Sequence, residues 1–199
     1  GYGTRDKEWK YGAFAEIYAD RYKEFVFRFG YNNDLQDPGR IHLHRELDKG
    51  YLKRLLMYRV DQVIEYTASV RKKLGYWNLE LGGAMQDIIP RYPYAFVNGS
   101  LPDSAYMAQE LSFNFRYAYA ERTSPFFNSY RRLSSKYPVL YGKITAGGQQ
   151  WRNSSVTNNY LQAIAAIQYR KHINRIGDER FLLMGGKSWS NAPLPLGKL

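Results

Sequence analysis

The chain has 199 residues, carries a formal net charge of +11, contains no cysteine and is 17% aromatic. The lack of cysteine excludes disulfides, thiolate metal sites and a cysteine nucleophile, and no apolar run approaches the roughly 18 to 20 residues of a membrane-spanning helix. The basic residues are scattered and accompany no recognised nucleic-acid-binding motif, so we expect no nucleic-acid partner.

The chain begins with a predicted β-hairpin. Apolar residues alternate along 11–19 and again along 25–31, and a short polar turn at 20–24 separates the two segments. Alternation with a period of two is typical of strands that have two distinct faces. The two segments therefore predict a pair of antiparallel strands.

Residues 35–56 break this alternation and are predicted to form a long loop. His42 and His44 lie two residues apart in it, a spacing that could place two metal ligands on one face of a strand. A polar surface loop explains the same residues, and the only other histidine, His172, is far along the chain. We therefore predict no metal site and no cofactor.

The middle of the chain predicts a second hairpin and a long single strand. Residues 64–71 and 77–85 alternate on either side of a tight turn, and 86–105 is predicted to be another long loop. In the strand that follows, 110–121, apolar and aromatic residues occupy one parity and polar residues most of the other. One face of this strand must be covered by a protein core or by lipid.

The last part of the chain predicts three further strands. They lie at 139–146, 160–170 and 181–187, and 147–159 is predicted to be a loop between the first two. Short and long connections alternate along the chain, and this alternation predicts a short turn after the 110–121 strand. The connection at 122–136 is nevertheless long. Its length has no explanation in the sequence.

These segments together predict an all-β fold: an antiparallel up-and-down meander of about eight long strands. Their length, mostly about 9 to 13 residues, exceeds the roughly five to six of an average soluble strand and matches the 9 to 11 that cross a bilayer. We therefore predict that 1–199 is a single region of a transmembrane β-barrel and a fragment of a larger one.

In such a barrel the two parities of each strand face different surroundings. The charged residues predicted to face the lumen are Glu16, Arg28, Glu65, Arg71, Glu80, Glu110, Arg116, Lys143 and Arg170. The residues predicted to face lipid are Phe25, Phe27, Phe29, Leu79, Leu81, Leu111, Phe113, Phe115, Tyr117, Leu161 and Ile167.

Three of the lumen carboxylates are the obvious candidates for acid or base catalysis, namely Glu65, Glu80 and Glu110. A closed interior also requires its charges to be paired, so a network of carboxylates with Arg and Lys explains the same residues without catalysis. No nucleophile elbow or phosphate-binding loop occurs. We therefore assign no catalytic residue and expect a protein that is not an enzyme.

Several short motifs, in their order and spacing, resemble one known family. The motifs are 2–12, 34–39, which ends in Asp-Pro-Gly, 136–140, which reads Lys-Tyr-Pro-Val-Leu, 185–187, which reads Gly-Gly-Lys, and 192–195, which reads Ala-Pro-Leu-Pro. They resemble the barrel region of a Bacteroidetes outer-membrane family of unknown function that carries an N-terminal carboxypeptidase-like regulatory domain. The resemblance implies a bacterial outer-membrane location, with membrane lipid and other envelope proteins as partners, and no catalytic residue.

Two other classes of function stay open at this point. A soluble basic β-barrel or sandwich that binds a ligand or a polyanion would account for the charge. An outer-membrane hydrolase would use one of the lumen or rim carboxylates. The leading hypothesis is an outer-membrane β-barrel with a structural, transport or protein-assembly role.

Overall fold

The structure is a computed structural model. It describes residues 2–3, 8–20, 24–36, 61–91, 96–98, 101–103, 105–126, 129–152, 157–173 and 177–192. Within these ranges the chain forms strands, turns and bends, and no helix is long and apolar enough to cross a membrane. The predicted all-β class is therefore confirmed.

The strands, in chain order, are β1 (Tyr2–Gly3), β2 (Glu8–Trp9), β3 (Tyr11–Asp20), β4 (Phe25–Gln36), β5 (Asp61–Leu74), β6 (Trp77–Pro90), β7 (Phe96–Asn98), β8 (Leu101–Asp103), β9 (Tyr106–Ala118), β10 (Arg122–Phe126), β11 (Ser129–Ser134), β12 (Val139–Trp151), β13 (Thr157–Ile173) and β14 (Gly177–Ser190). The strands of 10 residues or more all belong to one sheet.

That sheet has eight strands in the order β14-β13-β12-β9-β6-β5-β4-β3, and every pairing is antiparallel. Each strand lies beside the preceding long strand of the chain, as the up-and-down meander predicts. In the part of the chain that the structure describes, β3 and β14 are the edge strands of the sheet.

Two small hairpins interrupt the meander, and they explain the long connections on either side of β9. The strands β7 and β8 pair between β6 and β9, and β10 pairs with β11 between β9 and β12. The length of the 122–136 connection, which the sequence left unexplained, is therefore taken up by a hairpin of its own.

Two of the predicted loops are shorter than expected, because the strands before them continue further along the chain. β6 continues to Pro90 and β12 to Trp151, so the predicted loops 86–105 and 147–159 each begin within a strand. Glycine has low strand propensity, but ladders on both sides of β12 hold Gly147 and Gly148 in the sheet. Of 35–56, the first two residues end β4; the rest, with both histidines, lies outside the described residues.

The long strands define two ends of the sheet. One end contains the tight turn between β5 and β6, where Gly75 has a φ of +58°, a left-handed conformation that glycine adopts without a steric penalty. We call it the Gly75 end. The opposite end, where β12 finishes, is called the Trp151 end.

The two faces of the sheet differ in burial. We call the face that carries Arg116 and Trp151 the inner face, and the opposite face the outer face. Two buried apolar clusters lie on the inner face, one towards each end. Near the Gly75 end the cluster contains Ala118, Val139, Tyr141, Ile164 and Ala166, and near the Trp151 end it contains Val63, Ile88, Tyr106, Ala108 and Trp151.

Candidate functional site

All nine charged candidates lie on the inner face. Residues opposite each other in a ladder share a face, as do alternate residues of a strand. Arg71 lies opposite Glu80, which in turn lies opposite Asn114, and Asn114 lies opposite Lys143. The ladders and the alternation place the remaining candidates on the same face, namely Glu16, Arg28, Glu65, Glu110, Arg116 and Arg170.

All eleven apolar candidates lie on the outer face by the same two rules. Many of their side chains are exposed: Leu111 is 58% exposed, Phe29 49%, Leu81 47% and Ile167 46%. Exposed positions of the remaining strands, such as Tyr66 and Ile144, extend this apolar surface across the sheet. The face that the sequence assigns to lipid is therefore both apolar and uncovered.

The most buried of the nine charged candidates is Arg116, which is 5% exposed. Its guanidinium donates to both carboxylate oxygens of Glu121, at 2.8 Å and 2.5 Å, and lies 5.7 Å from the ring centroid of Tyr141. A bidentate pair of this kind compensates for the loss of water around both charges. The alternation in the sequence predicted the face on which Arg116 lies. It did not predict the contact with Glu121, which lies beyond the end of β9.

A second buried group joins Glu110 to Tyr160. The phenol of Tyr160 donates a hydrogen bond to a carboxylate oxygen of Glu110, although the two residues belong to β9 and β13 with β12 between them. The contact can cross β12 because the central strand has Gly147 between the two residues in the ladders. Parity in β13 puts Tyr160 on the inner face, but the crossing contact has no local sequence signal.

The other inner carboxylates have neighbours of several kinds. Glu65 accepts a hydrogen bond of 2.7 Å from the side-chain amide of Gln86, and Glu16 lies 3.8 Å from the guanidinium of Arg28. Arg71 and Glu80, although opposite in the ladder, do not come within ion-pair distance. The inner face is thus a distributed network of hydrogen bonds and charge pairs.

Two of the candidate carboxylates of this network have identified hydrogen-bond donors. Glu65 and Glu110, two of the three catalytic candidates, both accept hydrogen bonds from neutral side chains. Within the described ranges, no group of three or more His, Cys, Asp or Glu residues could hold a metal ion. The geometry of the described carboxylates provides hydrogen bonding and charge pairing between neighbouring side chains.

The outer face ends in different residue types at its two ends. Near the Gly75 end, aromatic rings contact one another: Trp77 and Tyr117 have centroids 4.7 Å apart, and Tyr119 lies 5.0 Å from both Tyr76 and Tyr137. Towards the Trp151 end, polar pairs replace the rings. There Arg152 binds Asp87 at 2.9 Å, and Gln62 accepts a hydrogen bond from Arg91 at 3.1 Å.

A groove of about 960 Å³ crosses the outer face between the apolar surface and the polar Trp151 end. Its lining includes the small residues Ala68, Gly83, Ala146 and Gly148, the larger apolar residues Tyr66, Met85, Met107 and Leu111, and the polar residues Gln109, Gln150 and Asn159. The groove is therefore apolar towards the middle of the sheet and polar towards one end.

Comparisons with protein-family models, with curated proteins and with solved structures found no match to this chain. The family resemblance of its short motifs accordingly stays an expectation from the sequence.

Proposed function

We propose that this chain forms the wall of an outer-membrane β-barrel and has a structural, transport or protein-assembly role in the cell envelope rather than a catalytic one. One observation carries the proposal. The face of the sheet that is exposed is apolar, and the face that holds the buried residues carries all nine charged candidates. A soluble protein normally shows the opposite arrangement, and a membrane barrel shows this one.

The energetics of the exposed face support lipid over water as its surrounding. Leaving apolar surface in water costs roughly 25 cal/mol per Å² relative to burying it. Phe29, Leu81, Leu111 and Ile144 would each incur such a cost in an aqueous protein, since each is at least 46% exposed. Contact with hydrocarbon removes this cost without any further protein layer.

The dimensions of the apolar surface also suit a bilayer. Along β13 the outer positions from Leu161 to Tyr169 are all apolar or aromatic. At about 3.4 Å per residue this stretch is about 27 Å long, and a strand tilted by about 40° would carry it through most of a roughly 25 Å apolar band. The aromatic cluster at the Gly75 end lies where barrels carry an interfacial girdle.

The proposal requires that β3 and β14 be paired in the membrane. Unpaired backbone N–H and C=O groups cost several kcal/mol each in hydrocarbon, so open sheet edges do not occur there. The two edge strands run in opposite directions. They are therefore suited to pair with each other or with further antiparallel strands of a larger barrel.

The test is whether the protein folds into membranes. We would unfold it in urea and dilute it into phospholipid vesicles, into detergent micelles, or into buffer alone. We expect protease-resistant, heat-modifiable protein in the vesicles and micelles, and aggregation in buffer. A monodisperse, folded protein in buffer without detergent would contradict the proposal and favour a soluble basic β-protein.

A further inference from the structure

We propose that the groove on the outer face binds a membrane glycerolipid, with an acyl chain in the apolar part of the groove and the ester group of that chain beside Gln109 and Asn159. This inference rests on the proposed membrane location, and it adds one specific lipid site to a surface that otherwise meets lipid without selectivity. The partner is identified by its chemistry, an apolar chain that ends in a group accepting hydrogen bonds.

The first observation is the open space in the apolar part of the groove. Gly83 of β6 lies between Ala68 of β5 and Leu111 of β9 in the ladders. A methyl group added at Gly83 would meet a single atom within 4 Å, the backbone oxygen of Glu110 at 3.8 Å. Leu111 and Met85, which also line the groove, are 58% and 51% exposed and rise above these small residues. This part of the groove therefore has room for an extended hydrocarbon chain.

The second observation is a pair of amide side chains at the polar end of the groove. Gln109 of β9 and Asn159 of β13 lie on either side of Gly148 of β12, and both are exposed. Two strand spacings separate their backbones by about 10 Å, and no side chain stands between them because the central residue is glycine. The amide oxygen of Asn159 would lie 3.3 Å from a methyl group at Gly148, so this side chain leans over the glycine.

These two amides differ from other amides of the same face in their hydrogen bonding. Gln62 donates to the side-chain oxygen of Asn33 at 3.3 Å. In the part of the chain that the structure describes, the side chains of Gln109 and Asn159 have no such partner. An amide that meets an apolar layer without a hydrogen bond costs free energy. Each amide NH₂ group is a donor, so a lipid ester carbonyl is an acceptor that fits this end of the groove.

The ion pair between Arg152 and Asp87 indicates the depth of these amides in a bilayer. Asp87 lies opposite Met107, which comes two residues before Gln109 in β9. Two residues span about 7 Å along a strand, which is about 5 Å of depth at a tilt of about 40°. The head-group layer is roughly 5 to 8 Å thick on each side of a bilayer. With the ion pair at the outer boundary of that layer, the amides lie at its inner boundary, where glycerolipids carry their ester groups.

The experiment compares an ester lipid with its ether analogue. The folded protein in neutral detergent micelles is titrated with diester or diether phosphatidylcholine of equal chain length, and bound lipids are counted by native mass spectrometry. The two lipids share the head group and the chain length, and the diester alone has carbonyl oxygens. We expect the diester to bind at least about threefold more tightly, since one neutral hydrogen bond changes a binding constant roughly two- to tenfold.

A first pair of variants tests the apolar part of the groove. Gly83→Leu fills the space above the glycine and should weaken the binding of both lipids at least about fivefold, because the chain loses its packing contacts. The matched control is Gly185→Leu on the outer face of β14, where an added methyl group meets no atom within 4 Å. Gly185 lies outside the groove, so this control should bind lipid as the unmodified protein does.

A second pair of variants tests the amides. Gln109→Met combined with Asn159→Leu should leave the diester and the diether bound equally, because both hydrogen-bond donors are removed. Gln62→Met combined with Asn33→Leu makes the same exchange outside the groove and should retain the preference for the diester.

Three outcomes would overturn the inference. Equal binding of the two lipids by the folded, micelle-embedded protein refutes it and leaves the barrel proposal standing. Equal weakening by Gly83→Leu and Gly185→Leu refutes it as well, because binding would then not depend on the groove. A protein dimer that Gly83→Leu dissociates would replace the lipid with a second copy of the chain. If the groove variants do not fold, the comparison of the two lipids on the unmodified protein decides.

Discussion

The ring of Tyr160 lies directly over Gly147 on the inner face of the sheet. A methyl group at Gly147 would come within 2.6 Å of Cζ and 2.7 Å of the hydroxyl oxygen of Tyr160. The same hydroxyl donates to Glu110 on the far side of the strand. The missing side chain of Gly147 is thus what allows a hydrogen bond between β13 and β9.

Replacing Gly147 with alanine should therefore destabilise the protein. The ring has to move and its hydrogen bond to Glu110 is lost, so we expect the free energy of unfolding to fall by about 1–3 kcal/mol. Urea titration of the protein folded in vesicles measures the change. The matched control is Gly185→Ala, because a methyl group there meets no atom within 4 Å. Equal effects of the two substitutions would show that the contact with Tyr160 is unimportant.

The sidedness of the sheet could be predicted because it depends only on alternation. Phe115 and Arg116 are neighbours in the chain, and the period of two is sufficient to put them on opposite faces. The strand boundaries at glycine and glutamine positions could be predicted less well than the faces of the sheet. Gly148 and Gln149 are in β12 because β9 and β13 pair with them, which is a tertiary effect.

The side-chain contacts within the inner face could be predicted from the sequence even less well than the strand boundaries. Arg116 binds Glu121, which comes after a turn in which Ala120 has a positive φ of 47°. The rule that one parity is apolar and the other polar also fails in the edge strands. Phe14 and Leu182 lie on the inner face with the charged residues, although both are apolar. Such details depend on turn geometry and on which strands become neighbours, and local alternation contains neither.

Glu121→Gln should be strongly destabilising because it leaves Arg116 as a buried charge without its carboxylate partner. The side chains of Arg116 and Glu121 are only 6% and 13% exposed. Breaking a buried pair in this way costs about 3–5 kcal/mol. The double variant Arg116→Met with Glu121→Leu should recover much of the loss, and a double-mutant cycle on unfolding free energies measures the coupling.

The comparison for that pair is the exposed pair between Arg152 and Asp87, whose side chains are 53% and 30% exposed. Asp87→Asn should lower the free energy of unfolding by less than about 1 kcal/mol, because water and salt screen an exposed pair. A cost for Asp87→Asn as large as that for Glu121→Gln would mean that burial does not determine the strength of these pairs.

A cysteine pair tests the register of β9 against β12 across the β10–β11 hairpin. Leu111 and Ala146 lie directly opposite each other, where Cα atoms are about 4.5–5.5 Å apart and a disulfide can form. The chain has no cysteine of its own, so Leu111→Cys with Ala146→Cys should give a single cross-linked peptide by mass spectrometry after mild oxidation. The pair Ser112→Cys with Ala146→Cys should not cross-link, because those residues lie on opposite faces. The reverse result would mean that the register is shifted by one residue.

An arginine scan of the outer face distinguishes lipid from water around the sheet. Phe113 lies near the middle of β9 and Met107 near the Trp151 end, and both are exposed, by 39% and 49%. In a bilayer, Phe113→Arg should lower the free energy of unfolding by about 2–4 kcal/mol and Met107→Arg by at most about 1 kcal/mol, because the cost of a charge depends on depth. In water the two substitutions should have similar effects, within roughly 0.5 kcal/mol of zero. Denaturant titration in vesicles therefore decides whether Phe113 faces hydrocarbon.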